Sequence, residues 1–206
     1  MKDRRKGFTL ASLLIVILVI GILSAMMMYS SSEAVATAKA AKILANLQLL
    51  RRAAIAWYVD NRDKVLPDGR VKIGGNEKPI QEFRDSTLKL SSYLSHLGAT
   101  EINLNKTYGD QSTHNTNTDL GEGCYGVCDG GTVKNDRSSV VEFHRNVWYV
   151  GYRFMAGEGK VKEKIRSRQK SSGVLFGTSD AHDLSTDEDT FDVDSKRFAA
   201  VWVRVL

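Results

Sequence analysis

The feature that most constrains this chain is a long stretch without any charged side chain, between Lys6 and Glu33. A short basic segment, residues 1–6, precedes it and carries four Lys or Arg and one Asp. If residues 8–32 form one helix, it is about 38 Å long at 1.5 Å per residue, more than the roughly 30 Å hydrocarbon core of a bilayer. We therefore predict that residues 8–32 form a single transmembrane helix. The basic segment before it predicts a cytoplasmic N-terminus, with the rest of the chain on the other side.

A cleaved secretory signal peptide is the alternative explanation for such an N-terminus. Its apolar region is usually about 7–15 residues long and ends at a small-residue cleavage site. Here the apolar run is longer, and the small residues near its end give no clean A-x-A pattern. The junction Lys6-Gly7-Phe8, on the charged side of the run, is the better candidate for a processing site.

The segment Lys6-Gly7-Phe8-Thr9-Leu10, followed by an aliphatic helix, resembles the type III signal of type IV pilin-like proteins. That family includes the pilins, the pseudopilins of type II secretion systems and the DNA-uptake pseudopilins. The resemblance implies that residues 1–7 are a leader, which a prepilin peptidase removes by cutting after Gly7 before it methylates Phe8. It also implies that residues 8–32 form the core of a filament once the subunit leaves the membrane.

The resemblance further implies that the start of the mature helix is an assembly surface. Its residues are Phe8, Thr9, Leu10, Ser12, Leu13 and Leu14. The family usually has Glu where this chain has Ser12, and a carboxylate in hydrocarbon is costly unless it is paired. Among pseudopilins the tip subunit typically lacks this Glu, so Ser12 favours a minor or tip subunit. A divergent major subunit is the alternative.

Beyond the apolar run, the pattern predicts that the helix continues to about Arg62 and becomes amphipathic. Apolar residues recur every three or four positions, as on one face of a helix: Ile43, Leu47, Leu50, Ala54 and Trp57. Residues 103–136 are rich in Asn, Thr, Gly and Asp and are expected to form an irregular loop. From residue 139 onward, segments rich in β-branched and aromatic residues indicate strands.

We therefore expect an α+β fold, in which the long N-terminal helix packs on a C-terminal antiparallel sheet of four strands. This arrangement of a long helix with a globular head at one end resembles the lollipop fold of pilins. The domain organisation that follows is a leader at residues 1–7, a transmembrane or filament-core helix at 8–32 and a globular head at 33–206.

A basic segment and an acidic block follow one another in the predicted head. Six basic residues alternate with other residues between positions 160 and 170: Lys160, Lys162, Lys164, Arg166, Arg168 and Lys170. As a strand, this segment would place six positive charges on one face, and clustered cations can bind DNA phosphates. It lacks the interleaved aromatic residues on which bases stack. Seven acidic residues lie between Asp180 and Asp194, and pairing of the two blocks within the head or between subunits is the favoured interpretation. Nucleic acid is therefore not expected as a partner.

The acidic block also offers oxygen ligands of the kind that Ca²⁺ binds. Major pseudopilins, which this chain resembles, carry a calcium ion in a loop near the C-terminal strands. The resemblance implies a set of candidate calcium ligands: Asp187, Asp189, Asp192 and Asp194. The alternative is a solvated acidic loop, and no other cofactor is expected.

The two cysteines, Cys124 and Cys128, are expected to form a disulfide if the domain is exported. A zinc site is not favoured, because no second Cys pair or His pair falls at ligand spacing. The four histidines are scattered along the chain and no catalytic constellation emerges. We do not expect an enzyme.

The resemblance implies a structural subunit of a type IV pilus-like filament or of a type II secretion pseudopilus. Its expected partners are the prepilin peptidase, other pilin or pseudopilin subunits and the inner-membrane assembly platform. The expected location is the inner membrane, with a single pass and the head in the periplasm or outside the cell. The alternatives are a DNA-uptake (competence) pseudopilin and a membrane-anchored binding domain without a filament.

Overall fold

A computed structural model describes most of the chain. The described residues are 10–83, 85–99, 102–104, 120–130, 132–134, 140–143, 147–178, 183–185 and 199–205. The first element is α1, a helix of 51 residues, Leu10–Asp60. At 1.5 Å per residue it is roughly 75 Å long. The prediction of one helix running to about Arg62 is confirmed.

Shorter elements follow α1. They are two 3-10 turns at Arg62–Lys64 and Ile80–Glu82, strands β1 (Val71–Ile73) and β2 (Asn76–Lys78), and helices α2 (Asp85–Leu88) and α3 (Leu90–His96). The remaining elements are β3 (Tyr125–Asp129), β4 (Thr132–Lys134), β5 (Val140–Phe143), β6 (Trp148–Arg153), α4 (Gly159–Arg166), α5 (Gln169–Ser172), β7 (Leu175–Gly177), β8 (Asp183–Ser185) and β9 (Ala200–Arg204).

Among the described residues, seven strands form one sheet in the order β3-β6-β9-β7-β8-β4-β5, and β1 pairs with β2 in a separate hairpin. Neighbours in the large sheet are antiparallel except β4 and β8, which are parallel. The α+β class, with a long helix on a largely antiparallel sheet, is confirmed. The expected number of four strands is wrong. Strands β3 and β4 lie in the segment expected to be a loop, and β8 lies within the acidic block.

Side chains on the central strands alternate between the two faces of the sheet, as the period of two requires. On β6, Trp148 and Val150 pack on the face that α1 covers, whereas Tyr149 belongs to a second cluster with Trp202 of β9 on the opposite face. The predicted apolar stripe of α1 is buried against the first face: Ile43, Leu47, Leu50, Ala54 and Trp57 are each at most 2 % exposed. This confirms the predicted orientation of the amphipathic half of α1.

Aromatic contacts fix the C-terminal end of α1 on the sheet. The ring centroids of Trp57 and Trp148 are 5.7 Å apart, and Tyr58 meets Trp148 edge-on at 5.6 Å. Both indoles are hydrogen-bonded: Trp57 Nε1 donates to the Leu88 carbonyl at 2.7 Å, and Trp148 Nε1 donates to the Gly69 carbonyl at 3.0 Å. The far end of the helix is therefore held by both packing and hydrogen bonds.

One position in the sheet requires glycine for space. Gly151 of β6 pairs in register with Trp202 of β9, and the indole lies over it. A Cβ atom at Gly151 would lie 2.2 Å from Cε3 of Trp202, too close for any side chain. The glycine therefore lets the largest side chain of the second cluster lie flat on the sheet.

The basic segment at 160–170 is helical, so its prediction as a strand is wrong. It forms α4 and the start of α5. Val161, Ile165 and Gln169 are all buried, and their spacing of four residues is that of one helix face. In a strand, the face that buries Val161 and Ile165 would also bury the charged side chain of Glu163 between them. Lys, Arg and Glu also have good helix propensity, which the alternating charge pattern concealed.

Candidate anchoring and assembly surface

The first half of α1 is an apolar surface that the head does not cover. Its most apolar 18-residue window has a mean hydropathy of 2.8, and none of it is buried by the rest of the protein. The side chains of Leu10, Ile17 and Met28 are 83 %, 60 % and 80 % exposed. By length and composition this helix can cross a membrane once. An apolar surface of this extent needs lipid or protein around it.

The predicted assembly residues lie at the start of this surface where the structure describes them. Leu10, Leu13 and Leu14 are exposed in the first turns of α1, and Ser12 between them is partly buried. Gly7, Phe8 and Thr9 lie outside the described residues. The roles assigned to these positions in processing and assembly stay predictions.

The apolar surface ends where α1 meets the head. The first buried residues of α1 are Ala36 and Ala40, at 5 % and 0 % exposure. Their small side chains allow α4 to pack closely against α1 at this point, and Val161 and Ile165 of α4 belong to the same core. The junction between the exposed and the buried halves of α1 is therefore a contact between α1 and α4.

Two lysines of α4 contact α1 where its uncharged segment ends, at Ser32 and Glu33. Lys164 Nζ lies 2.6 Å from Glu33 Oε2, and Lys160 Nζ donates to Ser32 Oγ at 3.0 Å. The hydrogen bond and the positive charge of Lys164 lower the pKa of the Glu33 carboxyl below its ordinary value. The carboxylate is therefore held ionised beside two ammonium groups.

A buried carboxylate fastens the start of α4 to α1. Glu158, which directly precedes α4, is only 7 % exposed. It accepts hydrogen bonds from the Tyr152 hydroxyl at 3.1 Å and from the Met155 backbone N–H at 2.9 Å, and it forms an ion pair with Lys39 of α1. Burial and the adjacent Glu158 charge raise the pKa of the Tyr152 hydroxyl, which therefore stays a donor.

Sequence reasoning expected the basic segment to pair with the acidic block at 180–194. Most of that block lies outside the described residues, so this pairing stays a prediction. The structure pairs Lys164 with Glu33, far away in sequence, and sequence reasoning missed this contact. A signal was present: Glu33 is the one acidic residue between Asp3 and Asp60. A single carboxylate in so long a helix indicates a specific basic partner.

The candidate calcium ligands Asp187, Asp189, Asp192 and Asp194 lie outside the described residues. Within the described ranges, no group of three or more His, Cys, Asp or Glu side chains is arranged to hold a metal ion. The calcium site stays a prediction.

The expected disulfide between Cys124 and Cys128 is absent from the structure. Cys128 lies in β3, and the Arg153 N–H donates to the Cys124 carbonyl at 3.2 Å, which extends the pairing of β3 with β6 back to Cys124. Four residues of extended strand separate the two Cα atoms by about 13 Å. A disulfide needs about 4.4–6.8 Å between them, so this prediction is wrong for the folded strand.

The comparison with family models concerns the N-terminal part of the chain. Residues 2–28 match the prokaryotic N-terminal methylation motif, which is the signal of type IV pilins. The chain therefore carries the N-terminal signal of type IV pilin-like proteins. The match covers the basic segment and the exposed apolar half of α1, and it implies processing by a prepilin peptidase and assembly with other pilins. No match was found among curated proteins or solved structures.

The pilin signal and the exposed helix lead to the same coarse conclusion. Within the described residues, one N-terminal apolar helix suits a single-pass membrane anchor, and the motif points to a structural protein. The segment at 160–170, on which the DNA-binding alternative depended, forms helices rather than a charged strand.

Proposed function

We propose that this pilin-like protein is a minor subunit of a type IV pilus-like filament or of a type II secretion pseudopilus. The observation that carries the proposal is the exposed apolar half of α1, which lies directly behind the methylation motif. That surface suits two environments in turn. Lipid covers it before assembly, and the helices of neighbouring subunits cover it in the filament.

The dimensions of α1 support the first environment. Residues 10–32 form about 34 Å of helix without a charged side chain, enough to cross the roughly 30 Å hydrocarbon core. Glu33 then lies at the level of the phospholipid headgroups. The basic leader favours a cytoplasmic N-terminus, so the head lies in the periplasm or outside the cell.

The composition of the same segment supports the second environment. Transmembrane helices associate through close packing, which small residues at the contact allow. No hydrophobic driving force favours the association, because lipid tails are as apolar as the side chains. Gly21 has no heavy atom within 4 Å of the position of a Cβ atom, and Ser24 and Ala25 lie one turn later. This stretch therefore allows close approach of a neighbouring helix.

The position in the filament rests on Ser12. A subunit with Glu at this position has a charge that needs a partner in an apolar environment. Ser12 carries no such requirement, which supports a minor position, including the tip.

The experiment that tests the proposal follows processing and assembly in one strain. The tagged chain is expressed with a prepilin peptidase and an assembly machinery, and its N-terminus is determined by mass spectrometry in sheared filaments and in membranes. We expect the mature chain to begin at methylated Phe8 and to be present in the filament fraction. Gly7→Asp should leave the leader attached and keep the chain in the membrane.

Two results would count against the proposal. Cleavage after the apolar run would indicate an ordinary secretory signal. A chain that begins at Phe8 but stays in the membrane while other subunits form filaments would indicate an anchored domain without a filament.

A further inference from the structure

We propose that α4 and the residues after it form a basic surface that binds the headgroups of anionic phospholipids while the subunit is held in the membrane. The inference rests on the proposed function, since it requires α1 to cross a bilayer. The basic surface consists of Lys160, Lys164, Arg166, Arg168 and Lys170.

The contacts between α4 and α1 set the height of the basic surface relative to the membrane. Lys160 reaches Ser32 at 3.0 Å and Lys164 reaches Glu33 at 2.6 Å. These two residues of α1 come directly after about 34 Å of uncharged helix. When that helix fills the hydrocarbon core, both lysines lie at the level of the headgroups.

The connection from Glu158 to Lys39 prevents α4 from moving away from this level. Glu158 is buried and bonded to the Tyr152 hydroxyl and the Met155 N–H as well as to Lys39. Because Glu158 directly precedes α4, the helix is fixed at its start and again at Lys164. The basic surface is therefore a rigid part of the head rather than a mobile tail.

A net positive charge is concentrated in residues 158–172, which include α4 and α5. Residues 158–172 contain six Lys or Arg and two Glu, a net charge of +4. The whole chain has a net charge of +5, of which residues 1–7 carry +3. The mature chain is therefore only +2, so the rest of it is net negative. Residues 158–172, which the contacts with Ser32 and Glu33 place next to the apolar half of α1, are therefore more basic than the mature chain as a whole.

The outer part of the basic surface lies within reach of the headgroup potential. Arg168 and Lys170 are exposed and follow Lys164 by four and six residues. In helical geometry that is within about 10 Å, comparable to the Debye length of about 8–10 Å at moderate salt. A Lys or Arg near an anionic surface raises the local preference for anionic lipid by about fivefold.

Phospholipid is favoured over other anions because of where the basic surface lies. Phosphate headgroups surround every helix that crosses a bilayer, so they are present at this height without any further binding partner. An acidic block from a neighbouring copy, or DNA, would have to be brought to the membrane boundary. Both are outcomes of the test below.

The test uses the full chain reconstituted in vesicles of phosphatidylcholine alone or with added phosphatidylglycerol. A fluorophore is attached at Ser167→Cys, an exposed position at the end of α4, in a Cys124→Ser background. Cys128 is fully buried and is not labelled. Quenching by a headgroup spin label on either lipid gives the relative association of phosphatidylglycerol and phosphatidylcholine with this site.

We expect phosphatidylglycerol to be preferred, with the preference falling in 0.5 M salt because screening weakens it. Arg168→Glu with Lys170→Glu should reduce the preference at least fivefold. The matched control is Arg62→Glu with Lys64→Glu, which makes the same change in net charge at the far end of α1 on exposed residues. It should leave the preference unchanged.

Three results would overturn the inference. They are equal quenching by the two lipids, equal effects of the two double variants, and a signal that depends on protein density or added DNA rather than on phosphatidylglycerol. Flotation of the protein with neutral vesicles shows whether the lipid preference alone is absent or whether the proposed membrane anchor is absent too. A chain that does not float has no membrane anchor, whereas a chain that floats without lipid preference contradicts only the basic surface.

Discussion

Glu33 and Lys164 form an ion pair of 2.6 Å at the point where the uncharged half of α1 ends and the head begins. Glu33 is the first charged residue after Lys6, and Lys164 comes from a helix more than 120 residues later. The pair therefore joins the helix that begins within the pilin signal to a helix of the head. It also fixes the level at which the head stands above the apolar helix.

The Glu33–Lys164 pair should make the stability of the head depend on pH in the acid range. The pKa of Glu33 is lowered in the folded protein, so its contribution is fully present above the ordinary value of 4.5 and is lost as the pH falls through the lowered pKa. The unfolding midpoint of Glu33→Gln, followed by near-ultraviolet circular dichroism in detergent, should converge with that of the wild type at low pH. A difference between the two proteins that stays constant from pH 7 to pH 3 would contradict this.

Glu158 should contribute more to stability than any exposed charge of α4. Its carboxylate is 6 % exposed and its removal leaves the Met155 N–H and the Tyr152 hydroxyl without their acceptor, so Glu158→Ala should cost about 3 kcal/mol. Lys39→Met should cost less, about 1 kcal/mol, because Lys39 is 39 % exposed and water replaces part of the interaction. Chemical denaturation measures both. Glu163→Ala, an exposed glutamate of the same helix, is the control and should change little.

Gly151→Ala should destabilise the head by about 2 kcal/mol or more, because the new Cβ would overlap the Trp202 ring at 2.2 Å. The ring belongs to a packed cluster and cannot move without disturbing Tyr149 beside it. Gly21→Ala adds the same methyl group where nothing lies within 4 Å, and it should leave the unfolding midpoint of the head unchanged. Equal effects of the two substitutions would be inconsistent with the packing described here.

The cysteines should remain thiols in the folded protein. The mass of the intact protein should include the hydrogens of both thiols. Adding a reducing agent should not change the unfolding midpoint. Burial raises the pKa of the Cys124 thiol, so its alkylation at pH 8 should be slower than that of a cysteine in the unfolded chain. A mass two units below that of the dithiol form, with an unfolding midpoint that falls when the protein is reduced, would show that the disulfide does form.

The parts of the fold that could be predicted from the sequence are those with a regular pattern of apolar residues. The apolar run and the stripe from Ile43 to Trp57 have the period of a helix over many turns, so local pattern and tertiary burial agree. Strands β6 and β9 were predicted for the same reason, since several β-branched and aromatic residues follow one another. The N-terminal motif is short, but it is specific in its position after a basic segment.

The sequence failed where tertiary contacts override a local pattern. Alternation from Lys160 to Lys170 has the period of a strand, but the burial of Val161 and Ile165 against α1 stabilises a helix there instead. The cysteine spacing suggested a closed loop, but pairing of β3 with β6 extends the chain instead. The contact of Glu33 with α4 spans most of the chain, so no local pattern contains both partners.

The exposed half of α1 is the surface on which we propose that subunits assemble. A photo-crosslinking amino acid at Ile17, 60 % exposed on that surface, tests it in cells with an assembly machinery. Adducts are purified through a tag on the head and mapped by mass spectrometry. The control is the same chain with Gly7→Asp, which should remain unprocessed. We predict adducts to the N-terminal apolar helices of neighbouring pilin-like subunits, lost in the Gly7→Asp chain. Adducts to lipid alone in the processed chain would contradict this role of α1.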